Sequence, residues 1–133
     1  MSAAQEVSRV LVVDDSPALR RMLELTLRRD GFEVHTAGDG REALAVAASG
    51  RPDAVLCDVE MPNMDGLELT EILVAANAQA AVVLMSGSGA ADLRQRAERA
   101  GACDFLVKPF ERDELLDSID RALARRTQRA ALV

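Results

Sequence analysis

Three stretches of this sequence are apolar at every position: Val10-Leu11-Val12-Val13, Ala54-Val55-Leu56-Cys57 and Ala81-Val82-Val83-Leu84-Met85. An extended chain turns successive side chains to opposite faces of its sheet. A run with no polar face is therefore expected of a strand covered on both sides, as in a parallel sheet flanked by helices. Two weaker β-rich runs complete a set of five, giving expected strands at 9–13, 33–37, 54–57, 81–85 and 104–107.

The segments between and after them read as helices. Ser16-Pro17 places a capping hydroxyl before a proline suited to a first helical turn. The helix that follows should bury Leu19, Met22, Leu23, Thr26 and Leu27, and should stop at Gly31. Asp39 with Glu42, and Asp65 with Glu68, have the spacing of capping boxes for the second and third helices. Gly50 should end the second. A fourth helix spans roughly 91–100 before Gly101. The last carries Leu115, Leu116, Ile119, Ala122 and Leu123 on one face, as expected for a core stripe. Strict β/α alternation implies an α/β, doubly wound parallel sheet with right-handed crossovers. The length suits one domain. Residues 9–126 are expected to form it, with 1–8 as an extension and 127–133 as a solvated basic tail.

Composition excludes several functions. A net charge of -6 and the absence of Trp and Tyr argue against nucleic-acid binding through phosphates or base stacking. No run is long enough to cross a membrane, and the first residues lack signal-peptide form, so a cytoplasmic setting is expected. Cys57 and Cys103 have no metal-ligand spacing, and Cys57 reads as a core residue. The chain has fifteen arginines but a single lysine, Lys108. Chance or lineage would account for this, as would a tight phosphate site that takes a compact ammonium rather than a planar guanidinium.

In doubly wound sheets ligands bind beyond the carboxyl ends of the strands. Here those ends carry Asp14-Asp15, Asp58, Ser86 and Lys108-Pro109. Each has a plain structural explanation alone, as a cap, a loop hydroxyl or a surface charge. Together they put three carboxylates, a hydroxyl and an ammonium in one crevice. Crowded carboxylates repel unless a cation compensates, and an all-oxygen donor set suits Mg²⁺. No Walker loop is present, and the only histidine, His35, lies within the second strand. A carboxylate nucleophile needs no base, so Asp58 could accept a phosphoryl group directly.

These residues resemble the receiver domain of bacterial two-component response regulators. The resemblance spans roughly residues 9–126. It rests on Val12-Val13-Asp14-Asp15-Ser16, Cys57-Asp58-Val59-Glu60-Met61-Pro62-Asn63-Met64-Asp65-Gly66, Ser86-Gly87 and Phe105-Leu106-Val107-Lys108-Pro109-Phe110. It implies a flavodoxin-like sheet of order 2-1-3-4-5, with Asp58 as phosphoacceptor. Mg²⁺, or Mn²⁺ in its place, would be held by Asp15, Asp58 and the Glu60 backbone carbonyl, with Asp14 acting through water. Lys108, before a cis Pro109, would contact the phosphoryl oxygens. Ser86 would move to bond that group while Phe105 swings inward, repacking the face of helix four, strand five and helix five. The implied partners are a histidine kinase or phosphotransfer protein and a downstream protein target. By this resemblance the chain is a signalling module that catalyses only its own phosphorylation and dephosphorylation. The alternatives are a receiver within a larger DNA-binding regulator or hybrid kinase, an aspartate-nucleophile phosphotransferase, and an unphosphorylated interaction domain.

Overall fold

The computed structural model describes residues 7–76 and 79–132, the last six by their backbone alone. Strand β1 (Arg9–Val13) leads to helix α1 (Pro17–Arg29), β2 (Glu33–Ala37) to α2 (Gly40–Gly50), and β3 (Ala54–Asp58) to α3 (Gly66–Ala75). Strand β4 (Ala81–Ser86) then leads to α4 (Ala91–Ala100), and β5 (Asp104–Val107) to α5 (Arg112–Leu132). All pairings are parallel and the order is β2-β1-β3-β4-β5, the flavodoxin-like order expected.

The apolar runs divide by parity, as a pleated strand requires. Val10, Val12, Leu56, Val83 and Met85 pack in one cluster with Leu23 and Leu27 of α1 and Leu115, Ile119 and Ala122 of α5. Leu11, Val13, Val55, Cys57, Val82 and Leu84 pack in the other with residues of α2, α3 and α4. The central strands are thus covered on both faces, and β2 at an edge alternates instead.

The caps form as spaced. Ser16 Oγ accepts from the Leu19 amide, Asp39 Oδ1 from Glu42 and Asp65 Oδ1 from Glu68. Three local expectations are corrected. Met22 is 56% exposed, because α1 buries only the narrow line of Leu23 and Leu27 and leaves Met22 on its shoulder. Gly50 is still helical, and the left-handed stop falls on Arg51 at φ 45°. The helix α5 runs on through Leu132, so residues 127–132 of the tail expected after the last helix continue its helical backbone.

Candidate functional site

The site is assembled at the carboxyl edge of the sheet because β1 and β3 are adjacent and β4 and β5 follow them. Asp14 and Asp58 leave neighbouring strands, and both are buried, at 1% and 4% exposure. Asp15 is exposed beside them. One carboxylate oxygen from each of Asp14, Asp15 and Asp58 lies within 4.8 Å of the other two.

Lys108 closes the cluster from the end of β5. Its Nζ lies 3.3 Å from Asp14 Oδ2 and 3.3 Å from Asp58 Oδ1. Its amide donates to the Ser86 carbonyl at 2.7 Å, and its bond to Pro109 is cis. The contact with Asp58 is an ion pair without hydrogen-bond alignment, which leaves the buried Oδ1 without a hydrogen bond. Burial, only partly offset by the Lys108 ammonium and reinforced by Asp14, pushes the Asp58 carboxyl up to about 6. For Lys108, burial favours the neutral amine, but Asp58 and Asp14 outweigh it and the ammonium is held above its ordinary range.

Three carboxylates against one ammonium, with a buried carboxylate oxygen unbonded, form a site short of positive charge. The available donors are all hard oxygens in loose convergence. This set fits a divalent cation of the magnesium type, which tolerates carboxylates and retains waters.

Asp14 is the fixed point. Its amide donates to the Ala37 carbonyl, its Oδ1 accepts from the Ser16 amide and its Oδ2 from Lys108. Its carbonyl accepts from Arg20 NH1 at 2.7 Å. A Cβ on Gly38 would stand 3.2 Å from that guanidinium nitrogen, so glycine leaves the arginine room. Arg20 was not legible as part of the site, since no spacing motif links a helix-surface arginine to a carbonyl six residues earlier.

Gly66 closes the motif after Asp58 for a steric reason that the sequence does not show. A Cβ there would collide with the Asp58 carbonyl oxygen and crowd Val59, so α3 can begin against the strand end only with glycine. The contacts of Glu60 run through its carboxylate. Ser86 Oγ, fully buried, donates to the Glu60 carboxylate, with Oε1 and Oε2 at 2.9 and 2.7 Å. Phe105 is already buried, at 8% exposure, with the Arg94 guanidinium 5.1 Å above its ring. A phenyl ring has no hydroxyl that requires water, and a cation over its face is favourable. The implied inward swing therefore does not start from an exposed ring in this structure. His35 stays on the edge strand, away from the cluster, 3.7 Å from Glu33.

The sequence of the whole site region matches the family model described as the response regulator receiver domain, over residues 10–120. The chain belongs to the response regulator receiver domain family. Response regulator MprA of Mycolicibacterium vanbaalenii is 44% identical over 119 residues, covering 90% of this chain and 51% of that protein. Regulatory protein AtoC of Escherichia coli is 39% identical over 117 residues, covering 88% of this chain and 25% of that one. The chain thus spans about half or a quarter of the length of these regulators. Among solved structures, chemotaxis protein CheY4 of Vibrio cholerae superposes with a TM-score of 0.83 at 36% identity, covering 88% of this chain and 99% of that one. A receiver domain is a signalling domain rather than a classical enzyme. Among the described residues no helix is long and apolar enough to cross a membrane.

Proposed function

We propose that this receiver accepts a phosphoryl group on Asp58 from the phosphohistidine of a histidine kinase or phosphotransfer protein. The observation that carries the reading is the buried, unbonded Asp58 Oδ1 held 3.3 Å from Lys108. An Asp58 oxygen attacks phosphorus, the donor's P–N bond breaks, and the departing imidazole nitrogen keeps the electron pair. The product is an acyl phosphate. Asp15 and Asp58, the Glu60 carbonyl, and Asp14 through water are the groups that would hold Mg²⁺. When bound, that ion supplies positive charge to the equatorial oxygens of the transferring group. Lys108 supplies a second positive charge from the end of β5, and Ser86 a hydroxyl donor. Asp14, tied at all four of its polar groups, holds its carboxylate in place against the repulsion of Asp15 and Asp58.

The receiver unit is taken as residues 9–126, with flanking segments at 1–8 and 127–133, in a cytoplasmic setting. Output runs through the face of α4, β5 and α5 to a protein target rather than to nucleic acid. The relatives' greater lengths favour a second reading of the whole protein, in which this receiver is one part of a larger regulator. Incubation with acetyl phosphate and Mg²⁺ should add one phosphoryl group by intact mass. Asp58→Ala should add none. Equal labelling of that variant would sink the assignment.

A further inference from the structure

Ser86 has one hydroxyl hydrogen, and that hydrogen is already committed. Its oxygen lies 2.9 and 2.7 Å from the two carboxylate oxygens of Glu60, and the Ser88 amide donates to the same oxygen at 3.0 Å. A hydroxyl has two acceptor sites but a single donor. Ser86 therefore cannot donate to Glu60 and to a phosphoryl oxygen on Asp58 at once. Hydrogen bonds to a carboxylate are about twice as strong as neutral ones, and Ser86 is fully buried, so water does not compete for it.

We infer that the Glu60 side chain is a positioning residue that holds the Ser86 hydroxyl away from Asp58, and that phosphorylation has to displace it. The inference rests on Asp58 being the phosphoacceptor and adds a determinant of how readily it is used. Glu60 suits the task because it is exposed while Ser86 is buried. Once released, its carboxylate returns to water at little cost, and no covalent bond changes. Only the fraction of molecules with Ser86 free is ready to stabilise the incoming group, and the apparent rate falls by that fraction. Glu60 and Ser86 are 26 positions apart in sequence and meet because β3 and β4 are paired, with Asp58 opposite Met85. The loop after β3 therefore lies beside the end of β4.

The test is a double-mutant cycle read by acetyl phosphate labelling with Mg²⁺, using Glu60→Ala, Ser86→Ala and the pair. These truncations keep the Glu60 backbone carbonyl. Glu60→Ala should speed labelling on the order of tenfold, the usual worth of a hydrogen bond to a charged group. In the Ser86→Ala background the same substitution should change the rate less than about twofold. Glu60→Gln, which keeps an acceptor but no charge, should fall between wild type and Glu60→Ala. The Ser88 amide resonance gives a second readout before any phosphorylation. It should shift in Glu60→Ala, because its acceptor Ser86 Oγ reorients. An equal acceleration with and without Ser86 would overturn the lock and leave a through-space charge effect. A rate unchanged by Glu60→Ala would overturn it as well. Absence of labelling in wild type would instead strike the phosphoacceptor reading on which the inference rests.

Discussion

Asp53 and Asp58 bracket β3, one just before its first residue and one at its last. Their surroundings differ in kind. Asp53 Oδ2 accepts from the Arg9 amide at 2.8 Å and its Oδ1 pairs with Arg126 at 3.2 Å. Its own amide and carbonyl join the backbone network to Arg9 and Ala81. Every polar group of Asp53 is answered from within the chain. At the other end, Asp58 shares one ammonium with Asp14, and its Oδ1 is buried without a hydrogen bond. An aspartate with all its partners ties a sheet together. One that is buried and under-partnered is held ready for something from outside, at a cost to the fold.

The largest expected effect tests whether Lys108 belongs to the reactive end. Lys108→Ala should slow acetyl phosphate labelling by about 10²–10³-fold, in the range seen when one donor to a developing charge is removed. Arg126→Ala, which removes a cation from Asp53, should leave the labelling rate within about twofold. Comparable losses in the two variants would erase the distinction between the two ends of β3.

Next comes stability, where the two aspartates should respond with opposite signs. The Asp58 carboxyl is raised to about 6, so its ionisation destabilises the folded state relative to the unfolded chain. That penalty is absent below about pH 4, where the group is neutral in both states, and is complete above about pH 6. Without divalent cations at pH 7.5, Asp58→Asn should therefore raise stability on the order of 1–3 kcal/mol, with Lys108 still paired to Asp14. Asp53→Asn should lower stability by about 1–2 kcal/mol, because it weakens two charge-assisted contacts. Urea unfolding of both variants against pH would check this. The Asp58→Asn gain should vanish at pH 4, and a gain independent of pH would contradict the burial argument.

What the sequence made legible follows the same division. Features set by local chemistry could be read: the three apolar runs, the caps at Ser16, Asp39 and Asp65, and the strand ends that carry Asp14, Asp15, Asp58, Ser86 and Lys108. Features set by approach across the fold could not. The collision that forces glycine at position 66 exists only because α3 starts on the Asp58 carbonyl. Arg20 reaches Asp14 through the geometry of the β1–α1 turn, and Glu60 meets Ser86 across two strands. Phe105 is buried within the cluster shared with α4, whose Arg94 lies over its ring, an approach that spacing along the chain does not show. Met22 shows the limit of periodicity, which gives the direction of a stripe and not its width.

The smallest effect concerns the missing positive charge itself. Asp14, Asp15 and Asp58 form a carboxylate cluster whose crowding a divalent cation would relieve, and such a cation binds the folded chain only. At a Mg²⁺ concentration tenfold above its dissociation constant, stability should rise by about 1.4 kcal/mol. The increment should be largest near pH 7, where Asp58 is ionised, and should shrink as pH falls through about 6, since protons and Mg²⁺ then compete for the same carboxylate. In Asp58→Asn much of the increment should disappear, because one ligand is gone and the repulsion it created is gone with it. In Asp53→Asn it should persist in full. Thermal unfolding with and without Mg²⁺ reads all three proteins on one scale. If Asp53→Asn lost the increment and Asp58→Asn kept it, the cation would belong at the other end of β3.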